Sequence, residues 1–184
     1  MLIHIVLSLL FCHFSTEPMA SECQVLFDGI DIKSKLYRKE IAPSYFFSYT
    51  PAELKNELKT QNLLWVEAQV SRLETYDYLN LNIHVYSAKA TDSYGSIEPQ
   101  SKLIIKTIHG KSVELLSRSK SNPVAADDQT SYIYPVSYEL DKSKVKRLLS
   151  EEIDQVGIQW SSGYEQYTVY EVDFLMNQLR CLNQ

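Results

Sequence analysis

Between Tyr78 and Tyr86 the chain alternates without a break: Leu79, Leu81, Ile83 and Val85 are apolar, while Tyr78, Asn80, Asn82, His84 and Tyr86 are polar or amphipathic. Successive side chains on a strand point to opposite faces, so this period of two commits the segment to a β-strand with one buried and one wetter face. A helix would scatter the same residues around its circumference. Residues 63–73, rich in apolar positions, are expected to pair with it as a hairpin through residues 74–77. A second hairpin is expected at His109-Gly110, between residues 103–108 and 112–116. A two-residue loop there pairs Ile104 with Leu115 and Lys106 with Val113, with positive φ at Gly110 and tolerated at His109. Asp28-Gly29 reads as another hairpin-type dipeptide, and further strands are expected at 43–49, 130–138, 153–160 and 166–170.

Three helices have local signals. Thr50, Pro51 and Glu53 have the spacing of a capping box that opens a helix over 52–59. Asp141 caps a second helix carrying Val145, Leu148 and Leu149. Residues 172–182 put Val172, Leu175, Met176, Leu179 and Leu182 on one helical face. The expected fold class is therefore α+β, mainly antiparallel β: a sheet or sandwich of about seven to nine strands with two or three short helices. Residues 88–100 and 117–128 read as the long surface connections, where binding function most often sits.

The N-terminus speaks to compartment. Residues 1–14 are almost continuously apolar, yet shorter than the roughly 17 to 25 residues that span a bilayer, which matches the apolar region of a secretory signal peptide. Ala20 supplies the small residue before a cut, although Pro18 departs from the usual pattern and no Lys or Arg precedes the apolar run. The expected organisation is a signal peptide at 1–20 and a single secreted or periplasmic domain at 21–184. Neither Cys12, preceded by Phe11, nor Cys23, preceded by Glu22, suits lipidation, so no stable membrane insertion is expected after cleavage. Cleavage removes Cys12 and leaves Cys23 and Cys181, an even pair in an oxidising compartment and hence an expected disulfide. Closing so long a loop stabilises by at most about 5 kcal/mol on the chain-entropy model.

The net charge of -5, with acids and bases interspersed, gives no basic face for nucleic acid. Outside the leader only His84 and His109 remain, neither beside a nucleophile, and no Gly-x-Ser-x-Gly occurs. Two distant histidines and a bridged cysteine pair build no transition-metal site, and Asp127-Asp128 reads as a solvated turn rather than a Ca2+ ligand pair. Five glycines leave no phosphate-cradling loop, so no cofactor is expected. The inventory leaves one enzymatic route, a hydrolase using two of Glu165, Glu171 and Asp173 across a cleft.

Residues 153–174 read as strand, Ser-Ser-Gly turn, strand, then helix. This text resembles the C-terminal strand-turn-strand-helix segments of small secreted bacterial proteins without assigned activity. The resemblance covers about thirty residues, contains no catalytic motif, and implies export and strand placement only. The same segment clusters Trp160, Tyr164 and Tyr167, and Tyr94 lies in the 88–100 connection. Rigid amphipathic rings of this kind can stack on a sugar or anchor a protein. The functional expectation is a non-enzymatic binding module for a protein or peptide partner, acting through loops and edge strands. The alternatives are a carbohydrate-binding module using Trp160, Tyr164 and Tyr167, with Tyr94 a separate exposed candidate, and the carboxylate hydrolase.

Overall fold

The computed structural model describes residues 23–126 and 130–184; the expected signal peptide at 1–20 and the Asp127-Asp128 turn lie outside them. The alternating segment forms β5 (Tyr76–Val85), and Leu79, Leu81, Ile83 and Val85 are buried, each contributing about 1.5–3 kcal/mol by leaving water. Its partner β4 (Leu64–Leu73) runs antiparallel, joined by a two-residue turn in which Glu74 takes the positive φ usually given to glycine. Glu74 is held there by Tyr37, whose backbone N–H donates to its carboxylate at 2.6 Å.

The other strands are β1 (Val25–Ile30), β2 (Tyr37–Ile41), β3 (Ser44–Tyr49), β6 (Lys102–Thr107), β7 (Ser112–Leu116), β8 (Val124–Ala125), β9 (Tyr132–Leu140), β10 (Ile153–Trp160) and β11 (Gly163–Thr168). Two antiparallel sheets result: a seven-stranded one ordered β1-β2-β4-β5-β9-β8, with β3 beside β4, and a four-stranded one ordered β11-β10-β6-β7. Their inner faces meet in one continuous core, where Phe47 stacks on Tyr167 at 5.4 Å and Tyr134 meets Trp160 edge-on at 5.2 Å. The α+β, mainly antiparallel expectation is met, with eleven strands described rather than seven to nine.

The structure corrects several local readings. Asp28-Gly29 lies inside β1, and the turn comes later, where Asp31 Oδ1 accepts from the backbone N–H of Lys33 and Ser34 and Lys35 adopts positive φ. The β6–β7 loop holds three residues, not two, so Leu103 pairs with Leu115 and Ile105 with Val113; Gly110 alone takes positive φ. All four paired residues are buried, and a shift by one would have turned them to solvent. The capping box at Thr50 does not form. Its hydroxyl accepts from the Leu63 backbone N–H instead, and the segment is a short 3-10 turn followed by α1 (Lys55–Leu58). Asp141 does cap α3 (Lys142–Leu148), accepting from the N–H groups of Ser143 and Lys144. The 88–100 connection contains α2 (Ala90–Tyr94), which was not expected. Within 117–126, Ser121 pairs with Ile97, Ser117 with Tyr138, and β8 joins β9.

The last helix, α4 (Phe174–Leu182), buries Phe174, Leu175, Leu179 and Leu182 against β2 and β4. β2 and β3 lie end to end along the same edge of β4, interrupted at Ala42-Pro43, and proline has no N–H to continue a ladder. Gln178 of α4 fills the break. Its Oε1 accepts from Val70 N–H at 3.2 Å, and its Nε2 donates to the Ala42 carbonyl and Ser44 Oγ, each at 3.3 Å. The Cys23–Cys181 disulfide is present, with Cα atoms 5.4 Å apart, and ties the residue two before β1 to the final turn of α4. No helix among the described residues is long and apolar enough to cross a membrane.

Candidate functional site

The aromatic platform expected from the sequence is not there. Trp160, Tyr167 and Tyr94 are 3%, 2% and 6% exposed, because Trp160 shares the inward parity of Val156 and Ile158, and Tyr167, paired with Val156 on the neighbouring strand, points the same way. Trp160 Nε1 donates to the Tyr167 hydroxyl at 3.3 Å, which in turn donates to Glu165 at 2.6 Å. Burial, reinforced by Glu165, pushes the Tyr167 hydroxyl far up, and burial lifts Tyr94 to about 12. Tyr164 alone is well exposed, at 48%, and its ring lies over Gly157, where a Cβ would collide with the phenol. The two tyrosines and the tryptophan are structural. The candidate acids fall in two places: Glu165 lines a cavity with Tyr49 and Tyr94, whereas Glu171 and Asp173 together border another beside the disulfide.

A different feature stands out at the edge of the large sheet. Leu26, Ile30 and Ile32 are 55%, 59% and 82% exposed, and Val25 and Leu36 are exposed beside them. These are five of the eight large aliphatic residues exposed among the described ones, and they fall in β1 and its turn. Among the described residues β1 pairs only with β2, so no described strand lies along its outer row of backbone groups. Edge strands are usually blunted by charge. Here the one charge, Asp28, is drawn back into its own sheet by the Tyr37 hydroxyl at 2.9 Å and Lys39 at 3.4 Å. Two other edges carry more polar groups: β7 presents Ser112 and Glu114, the latter paired with Lys102 at 3.0 Å, beside Leu116, and β11 presents Glu165, Gln166 and Thr168 beside Tyr164. Exposed Lys33 and Lys35 flank the far end of β1.

The outer face of the same sheet carries a hollow of about 470 Å3, lined by Tyr45, Gln61, Asn62, Trp65, His84 and Tyr86 together with Ser131. Trp65 and His84 are direct cross-strand partners whose rings stack at 3.7 Å and 10°. Burial pushes the His84 imidazole down, and Glu67, 3.8 Å from Nε2, pulls it partly back. Trp65 was missed at the sequence level, although its parity with Glu67 and Gln69, opposite to Leu64, Val66, Ala68 and Val70, marks it as outward. A larger cavity, about 940 Å3, lies under the β4–β5 turn beside α3. Several of its polar groups are engaged with one another: Arg72 grips Asp77 at 2.6 and 3.0 Å and reaches Asn183 at 2.9 Å, while Asp141 caps α3.

No protein-family model, curated protein or solved structure matches this chain.

Proposed function

We propose that this chain is an exported, non-enzymatic interaction module that takes an extended segment of a protein or peptide partner as an added strand on β1. The observation that carries this reading is the edge of β1, where Val25, Leu26 and Ile30 are exposed and the one charge, Asp28, is paired within its own sheet. Strand addition draws affinity from main-chain hydrogen bonds and specificity from alternate side chains. Val25, Leu26 and Ile30 are all exposed along β1, so a fitting segment is itself apolar. An acidic residue beyond the paired stretch would meet Lys33 and Lys35. The disulfide supports the same reading. It anchors the start of β1 to α4, so the edge is held in place before a partner arrives. Export to a secreted or periplasmic location is supported by that disulfide and by the apolar leader ahead of Ala20.

The test is selection of peptides from a random display library against the oxidised protein, followed by hydrogen exchange and a Leu26→Lys/Ile30→Lys double variant. The reading expects selected peptides to protect amides in residues 25–30 and to bind the variant at least tenfold more weakly at unchanged Tm. Protection confined to other strands, or undiminished binding by the variant, refutes it. Export is checked by intact mass: a chain beginning near Ser21 that gains two hydrogens on reduction is expected, and retention of residues 1–20 with free thiols would overturn it.

A further inference from the structure

We infer that the outer-face hollow at Trp65 is a binding site for a neutral saccharide, separate from the β1 edge. A pyranose ring offers apolar C–H faces and a circumference of hydroxyls, each both donor and acceptor, with no charge. The hollow offers the complement. Tyr45, Trp65 and Tyr86 supply aromatic surface, and Trp65 is held by its stack on His84 across the ladder, so the indole is fixed before a ligand arrives. Gln61 and Asn62 place two carboxamides side by side, each able to donate and accept. Asn62 Oδ1 accepts from the Thr50 hydroxyl at 3.3 Å, and the Gln61 side chain is exposed at the rim.

Other ligand classes fit less well. Among the described residues no Lys or Arg lines the hollow and burial pushes the His84 imidazole toward its neutral form, so a phosphate or carboxylate finds no counter-charge there. Glu67 lies 3.8 Å from His84 Nε2, and no group of three or more His, Cys, Asp or Glu gathers among the described residues to hold a cation. An extended peptide needs free backbone groups, but β4 and β5 here are interior strands flanked by β3 and β9, and their main-chain groups are engaged in ladders. A volume of about 470 Å3 suits one or two sugar units.

The experiment uses the oxidised protein against cellohexaose, xylohexaose, mannohexaose and chitohexaose in affinity electrophoresis, alongside a printed array of neutral and acidic glycans. Tryptophan emission is followed in parallel. Trp160 is buried, so a ligand at the hollow perturbs Trp65 alone. The inference expects a neutral glycan to bind and to shift the emission. Binding should weaken at least tenfold in Trp65→Ala and at least fivefold in Gln61→Ala, an exposed position whose change leaves the sheet intact, while Leu26→Lys/Ile30→Lys retains it. Absence of binding to every neutral glycan, binding of acidic glycans only, or binding unaffected by Gln61→Ala overturns it. Because the β1 variant is read in the same assay, failure here leaves the strand-addition reading to its own test.

Discussion

Gln178 offers a sharp test of how the large sheet survives a proline in its frame. Between the Glu40–Ser71 and Ser44–Ala68 pairs, β4 has no backbone partner for Val70, because Ala42-Pro43 bows away and Pro43 has no N–H. The Gln178 carboxamide bonds in that place, linking Val70 N–H, the Ala42 carbonyl and Ser44 Oγ. Replacing it with methionine keeps much of the side-chain volume and removes all three bonds. The Val70 side chain is fully buried, and a buried N–H left without a partner costs about 1–3 kcal/mol, while the bonds to the more open Ala42 and Ser44 add a few tenths each. With contact distances at the long end of the hydrogen-bond range, a loss of about 2 kcal/mol is expected for Gln178→Met, or roughly 4–8 °C in Tm for a domain of this size. Urea unfolding of the oxidised protein gives the energy, and hydrogen exchange at the Val70 amide gives the location. A Gln178→Met protein within about 0.3 kcal/mol of wild type, with Val70 still protected, would show that the carboxamide does not replace the missing rung.

Three further outcomes are expected. Replacing both Cys23 and Cys181 by serine should cost about 2–5 kcal/mol by denaturant unfolding, the range for removing a native bridge, and β1 amides should lose protection first. Asp141→Ala should cost about 1 kcal/mol through loss of the α3 cap. The hydrogen bonds from Ser143, then from Lys144, hold the Asp141 carboxyl well below its ordinary value. Its contribution is therefore present above the unfolded carboxylate range near pH 4 and lost as pH falls through the folded value, so the wild-type and Asp141→Ala acid-unfolding curves should converge at low pH. His84, pushed down mainly by burial, binds its proton more readily when unfolded; stability should fall as pH drops below about 6.5, and His84→Phe should flatten that part of the Tm profile.

How much of this was legible beforehand depended on whether a residue's role was local. The β5 alternation reports burial on one side of a ladder, so Leu79 to Val85 could be read directly. Cys23 and Cys181 followed from parity of cysteines, and the Asp141 cap needed only the next few residues. Thr50 could not be read, since its hydroxyl bonds Leu63, thirteen residues on. The β6–β7 register failed because the turn was assigned first, whereas burying Leu103, Ile105, Val113 and Leu115 together decides it. The candidate sites were hidden for opposite reasons. Trp160 and Tyr167 look like ligands in isolation but face the opposing sheet, while Trp65 looks like core until its parity with Glu67 and Gln69 is followed. The β1 edge was obscured by Asp28-Gly29, which has the composition of a turn and the extended backbone of a strand.

The covalent tie between Cys23 and Cys181 spans 158 residues of chain. A protease that cuts once between them, for instance among residues 118–122, divides the backbone without dividing the molecule. Both sheets also draw strands from either side of such a cut, β1 to β5 with β8 and β9 in one and β6 and β7 with β10 and β11 in the other. A nicked copy therefore keeps both halves registered and still displays β1 and the Trp65 hollow. Such damage shows only when the bridge is reduced.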